Sequence, residues 1–197
     1  MIANALDGEP AEVRSDRVSR EIQALTALGL DPFEIDLRNY FERGGRELDG
    51  ELGRCTVLWL RGGNVFLLRL ALAASGADAA IVELVRDDRV VYAGYSAGPC
   101  VLGPSLDGLD AVDDAAAVHR VHGVAPIMSG LGLVPFRVVP HVNSPTHPES
   151  RALDAVAERY RANAVEHITL RDGQALLIEG DNQEVVGSPA AMSELLY

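Results

Sequence analysis

Three short apolar runs constrain this chain most. Residues 56–60 (TVLWL), 90–93 (VVYA) and 136–139 (FRVV) are too short for helices and read as core strands, the first two buried on both faces. Each ends in punctuation: Arg61-Gly62-Gly63-Asn64, Gly94-Tyr95-Ser96-Ala97-Gly98 and Pro140-His141. Helical periodicity fills the intervals. Residues 11–29 carry Val18, Ile22, Leu25 and Leu28 on one face before Gly29; 65–75 and 77–88 are further helices, and 149–162 is amphipathic. Residues 33–37 read as a short strand, 39–53 as a polar, Gly-rich loop or irregular helix, and 105–130 have no clear period. Residues 168–171, 175–179 and 184–186 read as a terminal antiparallel meander with turns at Asp172-Gly173 and Gly180-Asp181. No repeat, low-complexity tract or linker interrupts the pattern. Strands alternating with helices imply one three-layer α/β domain over 1–197, built on a mainly parallel sheet. In such sheets function gathers at the carboxyl ends of the strands.

Charge and composition remove whole classes of function. The net charge is −12, against nucleic acid or an anionic membrane as partner. All 17 basic residues are Arg, and without Lys there is no Schiff-base chemistry, Walker P-loop or Ser/Lys dyad. The two cysteines, Cys55 and Cys100, have no CxxC spacing, so neither a disulfide framework nor a zinc ribbon is expected. Reduced thiols, no signal-peptide pattern at the N-terminus and no apolar run of membrane-spanning length lead to a cytoplasmic expectation. The histidines lack HExxH-type spacing; no metal and no cofactor are expected.

The three strand ends carry the chemistry. Gly94-Tyr95-Ser96-Ala97-Gly98 follows a strand directly, the context that gives GxSxG its meaning. A serine on that sharp bend has its Oγ lifted out of the sheet, and the flanking glycines let the backbone pass close by. The Ala97 N–H is then placed as one oxyanion donor. His141, at the end of another core strand, is placed to act as base. The Gly62-Gly63 turn offers a second backbone N–H to an oxyanion hole, and Asn64 beside it is read as a substrate-contacting residue. An acid to orient the histidine is sought among Asp107, Asp110, Asp113 and Asp114, with Asp110 favoured and Asp107 second; spacing does not decide among them. His141 follows Ser96 within one or two elements, which argues for a compact doubly wound sheet over the larger α/β-hydrolase scaffold. Cys100, four residues after Ser96, reads as packed rather than reactive.

Taken together, Trp59-Leu60-Arg61-Gly62-Gly63-Asn64-Val65-Phe66, Gly94-Tyr95-Ser96-Ala97-Gly98 and Leu131-Gly132-Leu133-Val134-Pro135 leading to Pro140-His141 resemble the peptidase E (alpha-aspartyl dipeptidase) family, to which cyanophycinase is more distantly related. The likeness runs from about Ile2 to about Gly187. It implies a flavodoxin-like, class I glutamine amidotransferase-like fold. It also implies Ser96 as nucleophile, His141 as base, and the amides of Gly63 and Ala97 as the oxyanion hole. The family's register for the acid falls at Ala111, beside Asp110. Glu149-Ser150-Arg151 matches the segment whose arginine holds the substrate's aspartate carboxylate, a role that suits a bidentate guanidinium in so acidic a protein. Family members usually carry a further N-terminal strand and loop, so this chain reads as starting inside a strand, with a sheet edge that a partner could cover.

The expected activity is therefore hydrolysis of short peptides, dipeptides with N-terminal Asp, by a serine peptidase. An esterase or amidase with the same Ser/His pair, and a degenerate binding homologue, are the alternatives. A homodimer is compatible with a domain of this size.

Overall fold

A computed structural model describes residues 1–41 and 45–187. Its elements in chain order are α1 (Ala11–Ala27), α2 (Arg46–Leu52), β1 (Val57–Leu60), α3 (Val65–Ser75), α4 (Ala77–Arg86), β2 (Val91–Gly94), α5 (Ala97–Cys100), α6 (Ala116–His122), β3 (Arg137–Val139), α7 (Ser150–Ala162), β4 (His167–Thr169), β5 (Ala175–Glu179) and β6 (Asn182–Val186). The architecture is the expected α/β one, with parallel strands between helical layers and the flavodoxin-like character of the class. β1 pairs with β2 and β3 with β4, both in parallel, while β5 and β6 form an antiparallel hairpin.

The central helix shows how sequence becomes structure here. α3 (VFLLRLALAAS) is apolar on every side, so it can only be an interior helix. Nine of its eleven residues are buried, Arg69 among them. The Asn64 side chain starts it by accepting hydrogen bonds from the amides of Phe66 and Leu67, and left-handed Gly76 ends it. α3 and α4 meet at an 89° bend there; no single described helix is long and apolar enough to cross a membrane.

Of the two readings of residues 39–53, loop or irregular helix, the structure has a helix, α2, over part of the segment, with Leu48 and Leu52 buried in the core. Several other expectations need correction. Residues 33–37 form no strand element, but the Ile35 amide donates to Met1 O, and Ile2 bridges Leu60 in parallel on its other side. The first three residues are thus buried and flanked on both sides, not an open edge. Residues 105–130 contain α6 and a 3₁₀ turn at Leu109–Ala111. The first strand of the supposed meander, β4, leaves the hairpin and runs parallel beside β3. β2 is less enclosed than its composition suggests, since Val91 is exposed.

A candidate active site at the strand ends

The serine sits where the chain turns out of β2. Ser96 has φ +53° and ψ −110°, a left-handed conformation that an L-residue adopts only under constraint. That constraint is a close backbone pass. A Cβ on either Gly94 or Gly98 would run into the carbonyl oxygen of Leu60, on the neighbouring strand. Two further bonds hold the bend: the Gly98 amide donates to Tyr95 O, and the Tyr92 hydroxyl, from within β2, donates to Gly98 O at 2.6 Å. The helix that follows is a single turn, α5, so the donor it contributes is the local Ala97 N–H rather than a long helix dipole.

Gly62 and Gly63 come up against this bend. A Cβ on Gly62 would lie 2.8 Å from Ser96 Cβ and 2.9 Å from the Tyr95 ring. Gly63 has φ +140°, and a Cβ there would lie 2.7 Å from Ala5 O, so only glycine fits either position. Among the described residues, neither Gly63 N–H nor Ala97 N–H donates to a protein acceptor. Asn64, read as a substrate contact, is occupied otherwise: its Oδ1 caps α3 and its Nδ2 donates to Asp114 O.

His141 lies just past β3 with φ +56°. Its Nδ1 is 2.5 Å from Asp172 Oδ1, and its Nε2 is buried with no hydrogen-bond partner among the described residues. The ring stacks on His147, with centroids 3.6 Å apart and planes within 5°. Burial, then the His141 ring, lower the His147 pKa below its ordinary value, and the Glu149 amide donates to His147 Nδ1. Asp172 stands at the end of β4 because β4 runs beside β3; its own amide donates to Ser144 Oγ. The loop between is pinned through Asn143 N to Asp154 and Ser144 N to Ser150 Oγ. No hydrogen bond joins Ser96 Oγ to His141 among the described residues.

The acid sought between Ser96 and His141 is not the group that meets the imidazole. Asp110 is exposed and accepts from the Gly108 amide within its own turn. Asp107 engages Ser105 and lies near Arg137; Asp114 accepts from the Ala116 amide at the start of α6 and pairs with Arg120. Asp113 accepts from the Val65 amide at 2.8 Å, at the start of α3, and burial pushes its carboxyl up to about 6, with Glu149 adding to the rise. Asp172 escaped sequence reading because Asp172-Gly173 is a turn signal. Reading 168–170 as a parallel neighbour of β3 would have exposed it.

Arg151 is exposed in the first turn of α7, on a cavity of about 450 Å³ that His147 also lines. A larger cavity, about 870 Å³, opens at the opposite ends of β3 and β4, around Phe136, Glu166 and Gln183, away from the serine and histidine. Cys100 is buried, its thiol 3.4 Å from Val138 O and pushed up in pKa by burial.

Comparison with known proteins bears on the family and the fold. The family model for peptidase family S51 matches residues 12–186. Peptidase E of Streptomyces coelicolor is 34% identical over 157 residues, 78% of this chain and 60% of that protein. An uncharacterized peptidase of Listeria monocytogenes is 30% identical over 122 residues, 62% of this chain and 56% of that protein. The matches thus span under two thirds of these curated relatives' length. Among solved structures, one from Listeria monocytogenes EGD-e assigned to peptidase E superposes with a TM-score of 0.75 at 23% identity, covering 95% of this chain and 84% of that one. A peptidase from an acI-B1 Actinobacterium gives 0.62 at 20% identity, covering 95% and 72%. With the family model matched over most of its length and the glycine-framed serine at a strand end, this chain belongs to peptidase family S51.

Proposed function

We propose that the chain is a serine peptidase that hydrolyses short peptides, dipeptides with N-terminal Asp, using Ser96 as nucleophile, His141 as general base and Asp172 as the carboxylate that orients it. The observation that carries this reading is the oriented imidazole. A carboxylate at Nδ1 fixes the tautomer with the proton on Nδ1, which leaves Nε2 as the basic nitrogen, and that nitrogen is buried and unpartnered. The strained Ser96 supports the same reading from the other side.

In this mechanism substrate draws Ser96 and His141 into contact, as active-site hydrogen bonds commonly tighten on binding. Nε2 takes the Oγ proton as Oγ attacks the peptide carbonyl. The N–H groups of Gly63 and Ala97 hold the developing oxyanion. His141 then gives the proton to the leaving amine, and a water, deprotonated by the same nitrogen, releases the acyl group. Arg151, on the cavity beside His147, is the group proposed to take the substrate's side-chain carboxylate. The two free thiols, Cys55 and Cys100, suit a reducing cytoplasmic setting.

The test is a panel of Asp-X, Glu-X and Ala-X dipeptides and simple esters. Asp-X is expected to be cleaved preferentially, Arg151→Ala to erase that preference, and Ser96→Ala to abolish both turnover and fluorophosphonate labelling. Undiminished turnover in Ser96→Ala would refute the mechanism.

A further inference from the structure

We infer that Arg61 is a positioning residue for the oxyanion hole: its guanidinium aims the Gly62–Gly63 peptide so that the Gly63 N–H points at the reacting carbonyl, and Glu21 holds the guanidinium. This rests on the reading of Gly63 N–H as an oxyanion donor.

The argument begins with one peptide plane. Arg61 Nη1 donates to Gly62 O at 2.8 Å. All described peptide bonds are trans, and in a planar trans peptide the C=O and the following N–H point in opposite directions. Fixing the Gly62 carbonyl therefore fixes the Gly63 N–H on the far side. That N–H has no protein acceptor among the described residues. The plane needs fixing because both its flanking residues are glycines, whose backbone rotates more freely than any other. The contacts on either side, Ser96 Cβ and the Tyr95 ring against Gly62, Ala5 O against Gly63 and the Asn64 amide donating to that same Ala5 O at 2.9 Å, limit position, but none of them bonds to the Gly62–Gly63 peptide itself. The Arg61 bond is what selects it. A cation on the carbonyl also polarises the peptide, which strengthens its N–H as a donor.

The guanidinium is itself held. The Arg61 amide donates to Ile2 O, which anchors the residue's backbone. Arg61 Nε lies 3.3 Å from Glu21 Oε2; the N–H is not aimed well enough to make this a hydrogen bond, so the contact is an ion pair. Glu21, reaching in from α1, is a hub: it also accepts from Trp59 Nε1 at 2.8 Å and from the Tyr95 hydroxyl at 3.1 Å. One carboxylate thus touches residues next to both oxyanion elements, Arg61 before Gly62-Gly63 and Tyr95 before Ser96. Both side chains of the Arg61–Glu21 pair are about 85% shielded from solvent, at 14% and 15% exposure.

The experiment compares wild type, Ser96→Ala, Arg61→Ala, Arg61→Lys and Glu21→Gln for kcat and KM on Asp-Leu, for inhibition by an aminoacyl boronic acid, and for melting temperature. The boronate forms a tetrahedral adduct on the serine and so reports on the oxyanion hole, which KM for substrate does not. Arg61→Ala is expected to lower kcat by about 10–100-fold, part of the 10²–10³ that losing a whole donor costs. Its KM should stay within about twofold and its boronate affinity should fall in parallel with kcat. Arg61→Lys should recover part of the loss. Glu21→Gln, which keeps size and shape, should reproduce a smaller loss, in kcat and not in KM. A folded Arg61→Ala with wild-type kcat and boronate affinity overturns the inference, as does a loss confined to KM. If Arg61→Ala does not fold, wild-type kcat in both Arg61→Lys and Glu21→Gln overturns it instead. A wild-type chain that neither cleaves Asp-Leu nor takes a fluorophosphonate on Ser96 sinks the peptidase reading itself, a result distinct from the others.

Discussion

The two halves of the site are made of different material. Around Ser96 the backbone does the work: four glycines, a left-handed serine and close passes against Leu60 O and Ala5 O set the geometry. Around His141 side chains do it: Asp172 on one ring nitrogen, His147 on the ring face, and a loop tied by Ser144, Ser150 and Asp154. A half built from backbone is intolerant of any added atom. A half built from side chains tolerates bulk and depends on particular functional groups. Substitutions in the two halves should therefore fail in different ways.

The largest effect is expected in the side-chain half. Asp172→Asn keeps the shape but offers Nδ1 a neutral partner, and turnover should drop by on the order of 10²–10⁴ with the melting temperature little changed. Asp110→Asn in parallel should leave turnover at the wild-type level, because Asp110 serves only its own turn. If Asp110→Asn is the inactive one, the contrast is misdrawn and Asp172 is not the orienting acid.

The backbone half should respond in stability first. Gly98→Ala pushes a methyl group at the Leu60 carbonyl and is expected to cost about 1–3 kcal/mol, read as a lowered midpoint in chemical denaturation. An unchanged midpoint would mean that the bend is not held by that close pass.

The smallest effect is expected beside the backbone half, where Asp113 accepts from the Val65 amide at the start of α3. Its folded pKa is raised from 3.8 to about 6, so folding favours its protonated form. The folded state then binds more protons than the unfolded one across this interval, and the group's contribution falls as pH rises from about 4 to about 6. Above that window the charged carboxylate is a burden, which protonation lifts below it. Asp113→Asn keeps an acceptor for the Val65 amide and loses the charge. It should be more stable than wild type at pH 7 by on the order of 1–2 kcal/mol, with the gain vanishing near pH 4. Equal stability of the two at both pH values would show that burial there is not costly.

What could be read in advance follows the same division. The strongly apolar run makes α3 legible over its observed span of Val65–Ser75, since burial is a compositional signal, whereas the Asn64 cap and the left-handed Gly76 are seen only in the structure. α2 stayed undecided between loop and irregular helix because its polar, Gly-rich segment carries only two buried leucines, Leu48 and Leu52. β4 looked like the first strand of a hairpin because short strands followed by turn residues say nothing about which neighbour they choose.

The sequence by itself determined the serine bend and its glycine frame. A positive φ and a sub-van-der-Waals approach of backbone admit few residue types, so those positions announce themselves. Only the tertiary structure decided which carboxylate lies against the His141 ring. Asp172 is 31 residues away and reaches the ring because two parallel strands bring their carboxyl ends side by side. That pairing is a non-local choice made by the sheet, and it leaves no pattern in the residues near either partner.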